Sequence, residues 1–108
     1  MAKVELIGDN EWQESVEASS GVVVVDFMAT WCPPCKMLAP VLERLADQMD
    51  GQVRFYKVDT DVHEELGLRY GVQKVPNITI FKDGEVVDQG VGFVPETLLK
   101  NRIEKFLN

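Results

Sequence analysis

The sequence predicts an α/β domain in which a central mixed sheet of five strands is flanked by four helices. Three observations lead to this fold class. Strand-like and helix-like stretches follow one another in the order β-α-β-α-β-α-β-β-α. The run Val22–Met28 is apolar and β-branched almost throughout, as in a strand that is covered on both faces. The 108 residues leave room for one domain, residues 1–108.

In the first half of the chain, strands are predicted at residues 4–7, 22–28 and 53–58. Asp9 or Asn10 is predicted to cap the first helix, which continues to about residue 19. The second helix opens at the Cys-Pro-Pro-Cys sequence and carries apolar residues at helical spacing as far as residue 49. The Asp50-Gly51 pair is predicted to end this second helix.

In the second half, Thr60 or Asp61 is predicted to cap a short helix that ends near residue 70. Strands follow at residues 77–81 and 85–91, and the Asp83-Gly84 pair between them is typical of a hairpin turn. Pro95 suits the first turn of a last helix, whose apolar face is formed by Leu99, Ile103, Phe106 and Leu107. Strands separated by helices are expected to pair in parallel, and the final hairpin is expected to be antiparallel.

The net charge of the chain disfavours some classes of binding partner. The 18 acidic and 11 basic residues give a net charge of −7, which disfavours binding to nucleic-acid phosphates or to anionic lipid. No apolar run is long enough to span a bilayer. The chain starts with Met1 and lacks the basic and apolar segments of a signal peptide. We therefore expect a cytoplasmic location and no nucleic-acid or membrane partner.

Cys32 and Cys35 form a C-x-x-C pair. A disulfide that closes so short a loop stabilises a fold by only about 2 kcal/mol, so a purely structural role explains the pair poorly. The pair lies where a buried strand gives way to a helix, and the N–H groups of a first helical turn lower the pKa of a thiol. We expect Cys32 to be an accessible nucleophile and Cys35 a more buried thiol that resolves the mixed disulfide.

A metal centre is the alternative role for this pair. A structural zinc site needs four ligands, whereas the chain offers two cysteines and a single histidine, His63, far along the sequence. We therefore expect no metal, and we interpret His63 as a solvated helix residue.

Two charged residues interrupt otherwise apolar strand faces. Asp26 lies among the valines of the second strand, where burial would raise the pKa of its carboxyl and allow proton exchange at neutral pH. A solvated position at the end of the strand is the alternative for this carboxylate. Lys57 shares a strand face with Val53 and Phe55, so it either pairs with Asp26 or extends towards the edge of the sheet.

A tryptophan-cysteine motif and two later signatures occur together in this chain. They are Trp31-Cys32-x-Pro34-Cys35-Lys36, Val75-Pro76 and Val91-Gly92, accompanied by Val25-Asp26-Phe27, Ala29, Pro40, Val58-Asp59, Tyr70-Gly71-Val72, Phe81 and Gly84. In these positions the chain resembles the thioredoxin family, nearly from end to end. The resemblance implies a thioredoxin fold, a cis peptide bond at Pro76 and the reduction of protein disulfides.

The resemblance also implies roles for individual residues. Cys32 attacks and Cys35 resolves, while Asp26 exchanges protons with Cys35 and Lys57 tunes that carboxyl. The active-site loop comprises Trp31, Pro33 and Pro34, and the groove for an extended substrate segment comprises Trp31, Val75, Pro76, Gly92 and Phe93. The redox-active disulfide needs no added cofactor. A thioredoxin reductase, a flavoprotein that draws on NADPH, would recharge the pair, and we expect a monomer.

Four residues depart from the family pattern: Met28, Pro33, Asn77 and Phe93. Pro33 lacks an N–H, so we expect it to withhold a donor from the Cys32 sulfur and to make the pair less oxidising. The departures keep open a specialised relative, such as an oxidant, an isomerase or a maturation reductase. A non-catalytic interaction subunit is the alternative from a different class, although such a subunit would have no need of both cysteines, Asp26 and Lys57 together.

Overall fold

A five-stranded mixed sheet forms the centre of the computed structural model, which describes residues 3–107. The strands are β1 Val4–Leu6, β2 Val22–Met28, β3 Val53–Asp59, β4 Asn77–Lys82 and β5 Glu85–Val91. They lie in the order β1-β3-β2-β4-β5. The helices are α1 Asp9–Trp12, continued by a π-helical segment Gln13–Glu17, α2 Pro33–Gln48, α3 Glu64–Arg69 and α4 Glu96–Glu104. The predicted fold class is confirmed.

Strand β2 is buried over nearly its whole length because helices cover each of its faces. Its side chains alternate between two apolar clusters, as the two-residue period of a strand requires. Val22 and Val24 pack with residues of α2 and α4. Val23, Val25 and Phe27 pack with residues of α1, the π-helical segment and α3. The prediction of a central strand covered on both faces is confirmed.

Trp12 anchors helix α1 in the second of these clusters. Its ring packs against those of Phe27, Tyr70 and Phe81. Its indole N–H donates to the Tyr70 hydroxyl at 3.1 Å, so the one polar atom of this buried side chain is satisfied.

The predicted parallel direction of strand β4 is wrong. This strand runs antiparallel to β2, with Asn77 opposite Phe27 and Lys82 opposite Val22. The connection from β3 to β4, residues 60–76, contains only the six-residue helix α3, which rises about 9 Å and does not span the seven residues of β3 by itself. The chain stays at the end of the sheet where β2 and β3 finish, and β4 begins there. The segment before Asn77 is thereby brought beside the β2–α2 junction.

The predicted cap of helix α1 is also wrong. The helix begins after Gly8, whose backbone N–H donates to the Glu11 carboxylate at 2.8 Å. Asp9 instead lies beside His63, with Oδ2 3.1 Å from Nδ1. A Cβ atom on Gly8 would overlap the His63 ring, so glycine is required for this contact. His63 is therefore partly packed in this corner, with 26% of its side chain exposed, and it is the N-cap residue of α3.

Helix α3 starts later than the sequence predicts because the expected caps are engaged elsewhere. The N–H and the hydroxyl of Thr60 both donate to the Met28 carbonyl, at 2.9 and 3.1 Å. The Asp61 carboxylate accepts a hydrogen bond from Trp31. The N-cap position falls to His63, without a side-chain capping bond.

The predicted hairpin turn between β4 and β5 is confirmed. Asp83 and Gly84 have φ of 51° and 84°, as a two-residue hairpin turn with positive φ requires. Gly84 also lies so close to the π-helical segment that a Cβ atom would overlap the Glu17 carbonyl oxygen. The hairpin therefore depends on glycine for two independent reasons.

Gly84→Ala is expected to lower the free energy of unfolding by about 3 kcal/mol, because backbone strain and overlap with Glu17 act together. Gly71→Ala is the control, since Gly71 has φ of 72° but no heavy atom within 4 Å of its would-be Cβ. Gly71→Ala is expected to lower the free energy of unfolding by about 1 kcal/mol. Denaturant unfolding measures both losses, and equal values would contradict the packing argument.

Candidate active site

The two cysteines lie at the junction of β2 and α2. Cys32 is the N-cap residue of α2 and Cys35 is the third residue of the helix. They form a disulfide with Cα atoms 5.2 Å apart. The Cys35 N–H donates to Cys32 Sγ at 3.2 Å, so the sulfur occupies the place of a capping oxygen. The positive end of the α2 dipole faces this sulfur and stabilises a thiolate there once the disulfide is reduced.

The expected difference in burial between the cysteines is wrong for the oxidised form. Cys32 is 2% exposed and Cys35 is 4% exposed. Both pack with Ala29, and Met28 and Val75 lie against this cluster and help to shield it. The two cysteines differ instead in position, because only Cys32 Sγ accepts a backbone hydrogen bond at the helix N-terminus.

Prolines occupy the first two positions of α2, Pro33 at N1 and Pro34 at N2. A capping side chain accepts hydrogen bonds from the N–H groups at N2 and N3. The N3 donor is present in Cys35, but the N2 donor is missing because Pro34 has no N–H. The residue that withholds a donor from the sulfur is therefore Pro34, and the expectation that Pro33 does so is wrong.

Asp26 is a charged side chain on the face of β2 that α2 covers. It is 3% exposed, and its Oδ1 has no hydrogen-bond partner within residues 3–107. On this face it lies between Val24, which packs with α2, and Met28, which packs against the cysteines. Burial raises the pKa of Asp26 from 3.8 to about 7, and the positive charge of Lys57 offsets part of that rise. The carboxyl can therefore hold or release a proton near neutral pH.

Lys57 lies directly beside Asp26 in the parallel pairing of β2 with β3. It shares its strand face with Val53 and Phe55, which are buried beneath α2, as the sequence predicts. Among the described residues no ion pair joins the lysine to Asp26. Lys57 is half-buried and acts on the carboxyl through its charge rather than through a salt bridge.

The segment before β4 lies against the Cys32 sulfur. The Val75 carbonyl oxygen is 3.7 Å from Cys32 Sγ, and the Val75–Pro76 peptide bond is cis, as the resemblance implies. The Pro76 carbonyl accepts a hydrogen bond from the Gly92 N–H at 2.8 Å. Phe93 follows Gly92 and is exposed. Three segments that are distant in the sequence therefore meet at the disulfide.

Trp31 is held beside the disulfide by Asp61, a residue for which the sequence pattern predicts only a capping role. Its indole N–H donates to Asp61 Oδ2 at 2.7 Å, across 30 positions of sequence. The backbone N–H of Asp61 donates in turn to Asp59 Oδ1 at 3.0 Å. No local pattern indicates this contact, because an exposed aspartate after a strand is common in loops.

A metal site finds no support in the part of the chain that the structure describes. No group of three or more histidine, cysteine, aspartate or glutamate side chains is placed there to hold an ion. His63, the third ligand that the sequence offers, lies with Asp9 and not with the cysteines. Over the same residues, no helix has the length and apolar character that crossing a bilayer requires.

A match to a known family covers nearly the whole chain. The family model for thioredoxin matches residues 3–105. The chain belongs to the thioredoxin family. Its thioredoxin fold is matched by the solved structure of a mutant thioredoxin from Halobacterium salinarum NRC-1, with a TM-score of 0.88. That protein is 38% identical, and the match covers 100% of this chain and 96% of the other.

Thioredoxins from a bacterium and a plant are also similar to this chain. Thioredoxin of Bacillus subtilis (strain 168) is 46% identical over 93 residues, which is 86% of this chain and 89% of the relative. The chloroplastic M-type thioredoxin of Pisum sativum is 37% identical over 105 residues. That match covers 97% of this chain, and the chain spans 61% of the length of the pea relative.

Asp26→Asn is expected to stabilise the fold, with a gain that grows as the pH rises. The folded-state pKa of Asp26 is raised from 3.8 to about 7. Ionisation therefore opposes folding increasingly between about pH 4 and pH 7 and by a constant amount above that range. At about 1.4 kcal/mol per pKa unit, the full shift corresponds to about 4 kcal/mol. Denaturant unfolding near pH 5 and near pH 8.5 measures the gain.

Asp47→Asn is the matched control, because Asp47 is exposed and its replacement also removes one negative charge. A gain for Asp26→Asn that is the same at both pH values, or no larger than that of the control, would show that the Asp26 carboxylate is solvated or well paired in solution.

Pro34→Ala is expected to lower the pKa of the Cys32 thiol and to raise the reduction potential of the pair, because a new N2 donor stabilises the thiolate. A tenfold shift in the exchange constant corresponds to about 30 mV. Thiolate absorbance against pH and equilibration with glutathione measure the two quantities. Pro33→Ala is the control, since an N–H at N1 lies outside the capping donors. Equal effects of the two substitutions would assign the result to loop rigidity.

Proposed function

We propose that this chain is a thiol–disulfide oxidoreductase that reduces protein disulfides by dithiol exchange. The observation that carries the proposal is the Cys32–Cys35 disulfide at the N-terminus of α2, in a chain of the thioredoxin family. The pair alternates between a disulfide and two thiols, so the reaction needs no added cofactor. With the sequence Cys-Pro-Pro-Cys, the chain is a variant of the family at this loop.

Cys32 is the attacking residue. Its thiolate attacks one sulfur of a substrate disulfide, forms a mixed disulfide and releases the other substrate sulfur as a thiolate. The Cys35 N–H and the positive end of α2 support the charge on Cys32 before the attack. The Cys35 thiolate then attacks the Cys32 sulfur, restores the internal disulfide and releases the second substrate thiolate. The substrate gains two electrons and the cysteine pair loses two.

Asp26 takes the proton of Cys35 and returns it in the reverse reaction. A thiol has to lose its proton before it attacks, and a carboxyl with a pKa of about 7 accepts one at neutral pH. The position of Asp26 on the strand face that leads to the cysteines supports this role. Lys57 lowers the pKa of Asp26 through its charge, so the lysine tunes the proton transfer.

An extended segment of the substrate binds in an apolar groove beside Cys32. Trp31 forms one side of the groove, and the other side is formed by Val75, Pro76, Gly92 and Phe93. The exposure of Trp31 and its hydrogen bond to Asp61 support this assignment. So does the short distance of 3.7 Å between Cys32 Sγ and the Val75 carbonyl oxygen.

A partner protein recharges the cysteine pair after each turnover. Thioredoxin reductase, a flavoprotein that draws electrons from NADPH, fits this role, because the chain contains no Gly-rich dinucleotide-binding loop of its own. The chain acts as a monomer in the cytoplasm. Its net charge of −7 favours protein partners over nucleic acid or anionic lipid.

The other candidate functions are less well supported. Similarity to thioredoxins along nearly the whole chain, together with the disulfide pair, favours a reductase over a non-catalytic interaction subunit. No observation favours a specialised oxidant, isomerase or maturation reductase.

Cys35→Ser is expected to attack insulin without releasing it. The serine hydroxyl does not displace a thiolate from a disulfide, so the adduct between Cys32 and an insulin chain accumulates. Non-reducing gels and mass spectrometry detect this adduct, which disappears on addition of dithiothreitol.

Cys32→Ser is the matched control and is expected to form no adduct. Trapping by Cys32→Ser in place of Cys35→Ser would reverse the two roles. Failure of both variants to trap insulin, together with failure of the unmodified protein to reduce it, would refute the oxidoreductase function.

A further inference from the structure

Two exposed aromatic residues lie in the chain segments that meet at the disulfide. Trp31 is 65% exposed and Phe93 is 42% exposed. By contrast, Trp12, Phe27 and Phe81 are buried in the core. Trp31 is placed here by its neighbour Cys32 in the chain. Phe93 comes from the far end of the sequence, and the fold brings it to the same surface.

Two short contacts connect Phe93 to Cys32. The Val75 carbonyl oxygen lies 3.7 Å from Cys32 Sγ. The next carbonyl, that of Pro76, accepts the hydrogen bond from the Gly92 N–H at 2.8 Å. Phe93 follows Gly92 directly, so these two contacts place its backbone close to the segment that lies against the sulfur.

The surface between Pro76 and Phe93 is uncovered. Apart from its chain neighbours Val91 and Phe93, no residue has a heavy atom within 4 Å of the position that a Cβ atom on Gly92 would take. No other segment of residues 3–107 therefore covers this point, and a side chain from a bound segment has room above it. Val91, on the other side of Gly92, is also exposed, so the apolar surface continues along the end of β5.

The two exposed aromatic residues offer different chemistry. The indole N–H of Trp31 donates to Asp61, so the orientation of that ring is fixed. Phe93 has no polar side-chain atom, and contact with it is favourable only through the removal of apolar surface from water. Phe93 takes part in none of the aromatic contacts among the described residues. An exposed aromatic residue beside reacting atoms is typical of a recognition surface.

We propose that Phe93 is a specificity-determining residue that selects substrate segments with a large apolar side chain next to the reactive cysteine. The inference rests on the proposed function, because the occupant of the surface is the segment whose sulfur is bonded to Cys32 in the mixed disulfide. That bond holds the neighbours of the substrate cysteine beside Val75 and Gly92, within reach of Phe93. A small or charged neighbour leaves the Phe93 ring in water, so such a substrate reacts more slowly.

A series of short peptides measures this selection. Each peptide contains one cysteine as a mixed disulfide with thionitrobenzoate, and Phe, Leu, Ala or Asp stands directly before or directly after that cysteine. Thionitrobenzoate is the better leaving group, so Cys32 bonds to the peptide sulfur while the peptide–thionitrobenzoate bond breaks. The departing thionitrobenzoate carries the electron pair of that bond, and its absorbance gives the rate constant with the reduced protein.

The Phe and Leu peptides are expected to react about tenfold faster than the Ala peptide in at least one of the two positions, which is the discrimination that an apolar contact supplies. Phe93→Ala is expected to lose this preference, so that its rate constants with the Phe, Leu and Ala peptides become equal. Phe93→Leu, which retains an apolar side chain, is expected to keep most of the preference. Val86→Ala is the matched control, because Val86 is an exposed apolar residue at the other end of β5.

Equal rates for all peptides, or a preference that persists in Phe93→Ala, would overturn the proposal and leave the reductase function intact. Absence of reaction with every peptide would refute the proposed function, and the selection with it. Sedimentation of the unmodified protein and of Phe93→Ala tests a second copy of the chain as the occupant. If the unmodified protein is a dimer, and Phe93→Ala is a monomer with the same peptide preference, the role of Phe93 is self-association and the proposal of substrate selection is overturned.

Discussion

Burial of strand β2 on both faces is the constraint on which the site depends. The strand lies between β3 and β4 in the sheet, and helices pack on each face, so its side chains are withdrawn from water. Valines are stabilised in these surroundings, whereas a carboxylate is disfavoured. Burial therefore raises the pKa of Asp26 to about 7, so the carboxyl can hold or release a proton near neutral pH. The same strand leads directly into the turn that places the Cys32 sulfur at the start of α2.

The antiparallel direction of β4 completes the site. Because β4 starts where β2 ends, the segment that precedes it runs past the disulfide and brings Val75 against Cys32. A parallel β4 would begin at the opposite end of the sheet, and the sulfur would lack this neighbour. Gly92, at the end of β5, then joins the site through its bond to Pro76. The surroundings of the cysteine pair thus depend on strand topology as much as on the cysteine motif.

The sequence predicts those features for which the signal is local. The run Val22–Met28 marks β2 at the bounds that the structure shows, and the two-residue period places Lys57 on the face that holds Val53 and Phe55. Asp83-Gly84 marks the hairpin because its backbone conformation favours glycine.

Features that arise from contacts between distant segments are not predictable in this way. The burial of Cys32 depends on Val75, 43 positions away. The orientation of Trp31 depends on Asp61, and the start of α3 depends on that same engagement. The direction of β4 depends on the end of the sheet at which the chain returns after α3, and local propensity does not indicate that end. Long-range packing therefore decides the parts of the site that the motif does not contain.

The contrast between Trp12 and Trp31 has an optical consequence. Trp12 is shielded in the core and hydrogen-bonded to Tyr70, whereas Trp31 stands in water beside the disulfide. The native chain thus carries two tryptophan fluorophores, and a soluble quencher such as iodide distinguishes the emission of the exposed one from that of the buried one. Emission lost to iodide comes from the site, and emission that survives comes from the core. The exposure of the site and the integrity of the core are therefore readable in one unlabelled sample.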